Sequence, residues 1–192
     1  LSATRKKPTR SEAERSRRHF LLAASVIGSG CGDSPTAERE WNPPPARGPL
    51  TAIVDYQGGR PLPARLLPEV VLSDAEWRAR LTPLAYAVLR RGSTELAYTG
   101  RYHRHAATGL YRCAGCGTAL FTSAAKFDSR TGWPSFREPA APENVLITSD
   151  GARDEVRCRR CRGHLGHVFG DGPEPTRERF CINSAALRFE PL

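Results

Sequence analysis

The sequence predicts a mainly β protein of antiparallel strands, preceded by two short helices. Three observations carry this. After Gly100 the chain breaks into short alternating or aromatic runs separated by Gly, Asn, Asp and Pro, the texture of strands joined by turns. Before it, Ser73-Asp74-Ala75-Glu76 and Thr82-Pro83 mark two helix starts. Three Trp, seven Phe and five Tyr in 192 residues give material for one core of about 100–150 residues plus extensions. The same composition excludes collagen-like and fully disordered chains. The longest uncharged apolar run, Phe20 to Gly30, falls short of the ~20 residues that cross a bilayer, which excludes a polytopic membrane protein.

Taken in order, residues 1–31 read as an export leader. A basic stretch precedes Arg17-Arg18-His19-Phe20-Leu21-Leu22 and a short apolar run follows, a pattern similar to twin-arginine signals. Cys31, after Gly28-Ser29-Gly30, is a candidate lipid-anchor site. The expectation is an exported protein, periplasmic or membrane-anchored facing the periplasm; a basic tail on a cytoplasmic protein is the alternative. The placement of charge also bears on partners. Of the formal net charge of +9, more than half falls in residues 1–20, so the folded part lacks the basic face that nucleic-acid binding requires. No nucleic-acid partner is expected.

Residues 32–68 hold half of the 16 prolines. Proline fixes φ and removes a backbone donor, so this stretch is expected to be an extended linker, with at most a short strand over Thr51–Tyr56. The folded domain is then residues 69–192. The capping box Ser73–Glu76 predicts a helix over 74–80, and Thr82 followed by a proline at the first helical position predicts another over 83–91. Strands are expected at Leu110–Arg112, Ala119–Phe121, Asn144–Thr148, Glu155–Arg157, His167–Phe169 and Arg179–Phe189.

Within this frame, Cys113-Ala114-Gly115-Cys116 and Cys158-Arg159-Arg160-Cys161 are two C-x-x-C knuckles, each followed closely by a glycine. Each places two thiolates on one tight turn, and two such turns facing each other give a closed tetrahedral site. Closed four-thiolate coordination points to one structural Zn²⁺ per chain; iron is the softer-metal alternative, and a pair of disulfides the metal-free one. That leaves Cys31 and Cys181. A lone cysteine in an apolar strand is ordinarily a small buried hydrophobe. Here Arg179 stands two residues before Cys181 and Asn183 two after, and in a strand all three share a face. A guanidinium beside a thiol favours the nucleophilic thiolate.

His164 and His167 would face opposite ways in a regular strand, but Gly166 between them is a natural bulge position that can bring both to one side. They are metal ligands, surface residues or pocket donors; the cysteines already complete a metal site. Gly132-Trp133-Pro134-Ser135-Phe136 is a rigid aromatic turn, either a core anchor or the wall of a small apolar pocket.

At this point a family resemblance emerges. From about Leu72 to Phe189 the chain resembles a methionine-R-sulfoxide reductase of the B type, a peptide-methionine (R)-S-oxide reductase. The motifs that carry it are LSDAEWRARLTPLAYAVLRRGSTELAYTGRY, YRCAGCGTALF, KFDSRTGWPSF and RCRRCRGHLGHVFGDGPEPTRERFCINSAALRF, in that order. The resemblance implies two antiparallel sheets, Zn²⁺ on Cys113, Cys116, Cys158 and Cys161, and Cys181 as nucleophile. It implies that His164, His167 and Asn183 hydrogen-bond the substrate region and its solvent. Arg179 and Asp171 would shape the charge around the thiol, and Trp133 and Phe169 would receive the substrate's methyl group. The implied substrate is free or protein-bound methionine sulfoxide and the implied partner a thioredoxin-like or other thiol reductant, acting on a monomer. The chain departs from the family at one place. Many members carry a resolving cysteine just before the Gly-Trp-Pro-Ser-Phe turn, and Thr131 stands there instead. A Cys181 sulfenic acid would then be reduced directly by an external thiol. The rival reading is a zinc-stapled binding module of the same fold, which has no use for Cys181, Asn183, both histidines and Trp133 together.

Overall fold

The computed structural model of the chain describes residues 41–149, 151 and 153–192. The expected export leader, Cys31 and the first part of the proline-rich stretch lie outside the described residues. In chain order the strands and helices are β1 (Leu50–Ile53), β2 (Tyr56–Gln57), β3 (Arg60–Pro61), β4 (Arg65–Pro68), α1 (Asp74–Arg80), α2 (Pro83–Arg91), β5 (Gly109–Cys113) and β6 (Ala119–Thr122). They continue with β7 (Lys126–Phe127), β8 (Ser135–Phe136), β9 (Val145–Ser149), β10 (Asp154–Cys158), β11 (His164–Phe169), β12 (Arg179–Ile182) and β13 (Leu187–Pro191). No helix among the described residues is long and apolar enough to cross a membrane.

The helices form where the caps place them. Ser73 Oγ accepts from the Glu76 amide while the Glu76 carboxylate accepts from the Ser73 amide. Thr82 Oγ1 accepts from Ala85, and Gly92 closes α2 in the left-handed conformation at φ 69°. Each helix buries one stripe, Trp77 from α1 and Tyr86, Val88 and Leu89 from α2, and α2 lies on β11.

Two antiparallel sheets make the body: a six-stranded one in the order β7-β8-β12-β11-β10-β9 and a three-stranded one in the order β13-β5-β6. Aromatic side chains join them. Phe121 of β6 stacks on Phe136 of β8 with ring centres 4.3 Å apart, and Tyr111 of β5 meets the same ring edge-on at 5.1 Å. Period-two alternation on β12 sends Phe180 and Ile182 into this core and leaves Arg179 and Cys181 on the opposite face.

Two expectations need correction. The proline-rich stretch is not all extended linker: β1 pairs with β4, β2 with β3, and the compact unit begins at Asn42 rather than Glu69. Two-stranded ribbons tolerate prolines because a strand edge needs no donor, and Pro61 and Pro68 each end a strand. The expected single strand Arg179–Phe189 is broken by a 3₁₀ turn at Ser184–Ala186, so that β12 and β13 belong to different sheets. Apolar content alone cannot reveal such a switch of sheet.

Candidate active site

The register of three neighbouring strands builds the site. Cys181 of β12 lies opposite His167 of β11 on one side and Ser135 of β8 on the other, and Arg179 lies opposite Phe169. Paired residues in an antiparallel ladder share a face, so this set converges on the face of the six-stranded sheet opposite the aromatic core. Gly166 makes the approach of β11 and β12 possible: a Cβ there would sit 2.0 Å from the Cys181 carbonyl oxygen. The β10–β11 register slips at the same place, Val156 facing Gly166 while Arg157 faces His164. The extra residue brings the two imidazoles together, ring centres 5.4 Å apart, as the bulge reading expected.

A shallow cleft of about 100 Å³ opens over Cys181. Trp133 and Phe169 supply its aromatic surfaces, His167 and Asn183 its polar ones, and Thr94 and Arg153 complete the rim. Thr94 and Arg153 are new from the structure; neither stands in a motif with a chemical signature of its own. Trp133 Nε1 donates to the Glu95 carbonyl at 3.1 Å, which anchors the indole in the cleft wall. Asn183 is 2 % exposed and its side chain is already engaged, Oδ1 accepting from the Glu95 amide and Nδ2 donating to the Leu165 carbonyl, both at 2.9 Å. Asn183 thus holds the cleft's shape as well as lining it.

Arg179 is fastened beside the sulfur. Its guanidinium makes a bidentate pair with Asp171 at 2.8 and 3.0 Å and covers the Phe169 ring at 4.5 Å. The hydrogen bond to Asp171 pushes the Arg179 guanidinium up, and the Cys181 sulfur adds to this; the same bond holds the Asp171 carboxyl below its ordinary value. Arg179 is therefore a fixed positive charge next to Cys181, and Asp171, itself exposed, acts by orienting it.

His164 is set one step back, 3 % exposed and behind His167 rather than in the cleft wall. Its Nδ1 bonds Glu155 Oε1 at 2.6 Å, and Arg157 Nε donates to the other Glu155 oxygen at 2.7 Å. His164 Nε2 is buried without a partner. Glu155 had no signal in the sequence beyond membership of a strand.

The two knuckles meet as expected. The four sulfurs of Cys113, Cys116, Cys158 and Cys161 lie within 4.8 Å of one another and are buried, with Cys113–Cys161 at 3.6 Å and Cys116–Cys158 at 3.5 Å. Those separations are far too long for disulfides. They match the ~3.8 Å edge of a tetrahedron of sulfurs ~2.3 Å from a central ion. Cys113 donates toward the Cys116 and Cys158 sulfurs, which holds its own thiol well above its ordinary value, and four ionised sulfurs packed this closely require a cation. The residues fit a metal ion.

Comparison with known proteins agrees with this arrangement. The family model of the SelR domain matches residues 81–191. A protein of Thiobacillus denitrificans named peptide methionine sulfoxide reductase MsrB is 55 % identical over 123 residues, covering 62 % of this chain and 93 % of its own length. Its namesake in Methylibium petroleiphilum is 53 % identical over 127 residues, covering 64 % of this chain and 92 % of its own. The mouse mitochondrial methionine-R-sulfoxide reductase B3 is 48 % identical over 127 residues, 64 % of this chain and 50 % of its own length.

Proposed function

This chain belongs to the SelR-domain family of MsrB-type methionine sulfoxide reductases, and on that premise we propose that it reduces the R epimer of free or protein-bound methionine sulfoxide through Cys181. The observation that carries the reading is Cys181 itself: among the described residues it is the one cysteine outside the four-sulfur cluster, half-exposed in an aromatic cleft beside Arg179.

The substrate's methyl group lies against Trp133 and Phe169, and its sulfur faces Cys181. The thiolate, beside the Arg179 guanidinium, attacks the sulfoxide sulfur, and the oxygen passes to Cys181 as the substrate's S–O bond breaks. His167, the ladder partner of Cys181, is the group placed to donate a proton to that oxygen. The thiol and the sulfoxide become a sulfenic acid and methionine, with no atom gained or lost. Two equivalents of an external thiol, of the thioredoxin type or smaller, then return Cys181 to the thiol and release water and a disulfide. Thr131 beside the sulfur, with the other four described cysteines in the cluster, supports this external route. A sulfoxide sulfur is chiral, and a cleft that fixes methyl, oxygen and lone pair together accepts one epimer.

The donor set of Cys113, Cys116, Cys158 and Cys161 suits Zn²⁺, whose role when bound is structural: closed coordination leaves no position for substrate. The twin-arginine-like leader and Cys31 support export, with a lipid anchor facing the periplasm. That route carries folded proteins, so the cysteines could be sequestered on zinc before meeting an oxidising compartment.

The test is turnover of the separate R and S epimers by the zinc-loaded chain with dithiothreitol. Selective loss of the R epimer is expected. After one turnover without reductant, peptide mapping should find no disulfide joining Cys181 to another cysteine of the same chain. Loss of the S epimer, or of neither, overturns the assignment, and an intrachain Cys181 disulfide overturns the external route.

A further inference from the structure

Thr131 Oγ1 lies 3.9 Å from Cys181 Sγ, within reach of a hydrogen bond to sulfur. It does not stand alone. Its oxygen is 2.8 Å from Ser129 Oγ, and Ser129 Oγ is 2.7 Å from Ser135 Oγ. Ser135 Oγ in turn reaches the Trp133 carbonyl at 3.3 Å. Ser135 is wholly buried and is the β8 partner of Cys181 in the ladder. The three hydroxyls form an unbranched chain, closed at one end by a carbonyl and at the other by the reactive sulfur.

Counting protons shows what such a chain does. With Cys181 as a thiol there are four protons for four links. The S–H donates to Thr131, Thr131 to Ser129, Ser129 to Ser135, and Ser135 to the carbonyl. With Cys181 as a thiolate three protons remain, and each hydroxyl rotates to donate toward the sulfur. The thiolate then receives a hydrogen bond from Thr131, and the link given up is the 3.3 Å contact at the carbonyl, the longest of the oxygen–oxygen set. No proton passes along the chain; each hydroxyl keeps its own, and the thiol proton leaves to solvent or to a base.

We propose that Thr131 is a further catalytic residue, the hydroxyl that donates to the Cys181 thiolate, with Ser129 and Ser135 as positioning residues that hold its proton toward the sulfur. The proposal rests on the reading of Cys181 as the nucleophile. It also gives a use to the departure at position 131, where a hydroxyl takes the place next to the sulfur that a second thiol would otherwise fill.

The experiment is the rate of Cys181 alkylation by iodoacetamide at neutral pH, read by mass spectrometry on the full zinc-loaded chain, beside the first-turnover rate with R-sulfoxide. A hydrogen bond to a charged group supports about a tenfold change in thiolate fraction. A more basic thiolate is also more nucleophilic and recovers about half of this on a logarithmic scale. Thr131→Val, which keeps the shape and removes the hydroxyl, should therefore slow alkylation about threefold. Thr131→Ser should restore the native rate, and Ser129→Ala should fall between. Native-rate alkylation in Thr131→Val overturns the proposal. So does a Thr131→Ser variant as slow as Thr131→Val, which would assign the effect to shape. If the native chain reduces neither epimer while Thr131→Val still slows alkylation, the reductase reading fails and the hydroxyl chain stands. Reduction of the R epimer with unaltered alkylation in Thr131→Val gives the reverse.

Discussion

Glu155 sits between two nitrogen donors, taking His164 Nδ1 on one oxygen and Arg157 Nε on the other. Burial works to raise its carboxyl, and the hydrogen bonds from Arg157 and His164 outweigh it, so that it is held below its ordinary value of 4.5. The sign of the consequence follows. A depressed carboxyl stabilises the fold fully above its unfolded value, and the contribution is lost as pH falls below about 4.5 toward the folded value. Glu155→Gln should therefore melt below the native protein near neutrality, and the gap should close as the pH falls below about 4.5. Melting curves of the two proteins across that range check this, and a gap that does not change with pH would mean that the charge of Glu155 contributes nothing. The substitution also reaches the site. Arg157 keeps a carboxamide's oxygen, so the amide's N–H₂ turns toward His164 Nδ1 and demands the opposite ring tautomer.

At the scale of elements, the segment from Asn42 to Pro68 is fastened to the sheets by side chains far away in sequence. Asn144, with no exposed surface, donates to the carbonyls of Val54 and Ala119 at 2.6 and 2.7 Å and accepts from the Val54 amide at 2.9 Å. Arg112 adds a buried fork to Asp55 and Glu190, each at 2.7 Å. Asn144→Ala leaves two carbonyls and one amide without their partner, a loss of about 3 kcal/mol. For a domain of this size that lowers the melting temperature by about 10 °C. Limited proteolysis should then cut first between β1 and β4, and a melting point unchanged by the substitution would show that the ribbon is not held by Asn144. The sequence made the helices legible because their caps are local, three residues from donor to acceptor. The residues that hold the ribbon were not legible, because partners ninety residues apart carry no periodic or compositional mark. The proline content, read by itself, pointed to a linker. The same rule divides the cleft. The Arg179–Cys181 pair could be read from strand period, whereas the Glu95 contacts to Asn183 and Trp133, which fix the cleft's walls, come from tertiary packing.

For the whole molecule, the four-cysteine cluster ties the two sheets at their strand ends, beyond the aromatic core that packs them together. Cys113 ends β5 of the three-stranded sheet and Cys158 ends β10 of the six-stranded one, and each is followed by the turn carrying its companion, Cys116 or Cys161. The knuckles were readable because each is a local spacing and the two of them complete one tetrahedron, but the sequence could not say which elements they would join. Because the cluster joins the sheets, an ion held there would be part of the fold's stability. Without an ion Cys113 and Cys161, whose thiols are held well above their ordinary value, keep their protons while the Cys116 thiol is held well below it, and the direct bridge between those strand ends is lost. The purified chain should hold about one zinc per molecule, measured by a chromophoric chelator after denaturation. Incubation with a strong chelator should remove the ion, the near-ultraviolet circular dichroism and the reductase activity at one common rate. Cys113→Ser should lose all three together. A protein that released its zinc and its activity while keeping native tertiary structure would place the metal in the chemistry. The closed four-sulfur shell, which offers the substrate no coordination position, argues for the single common rate.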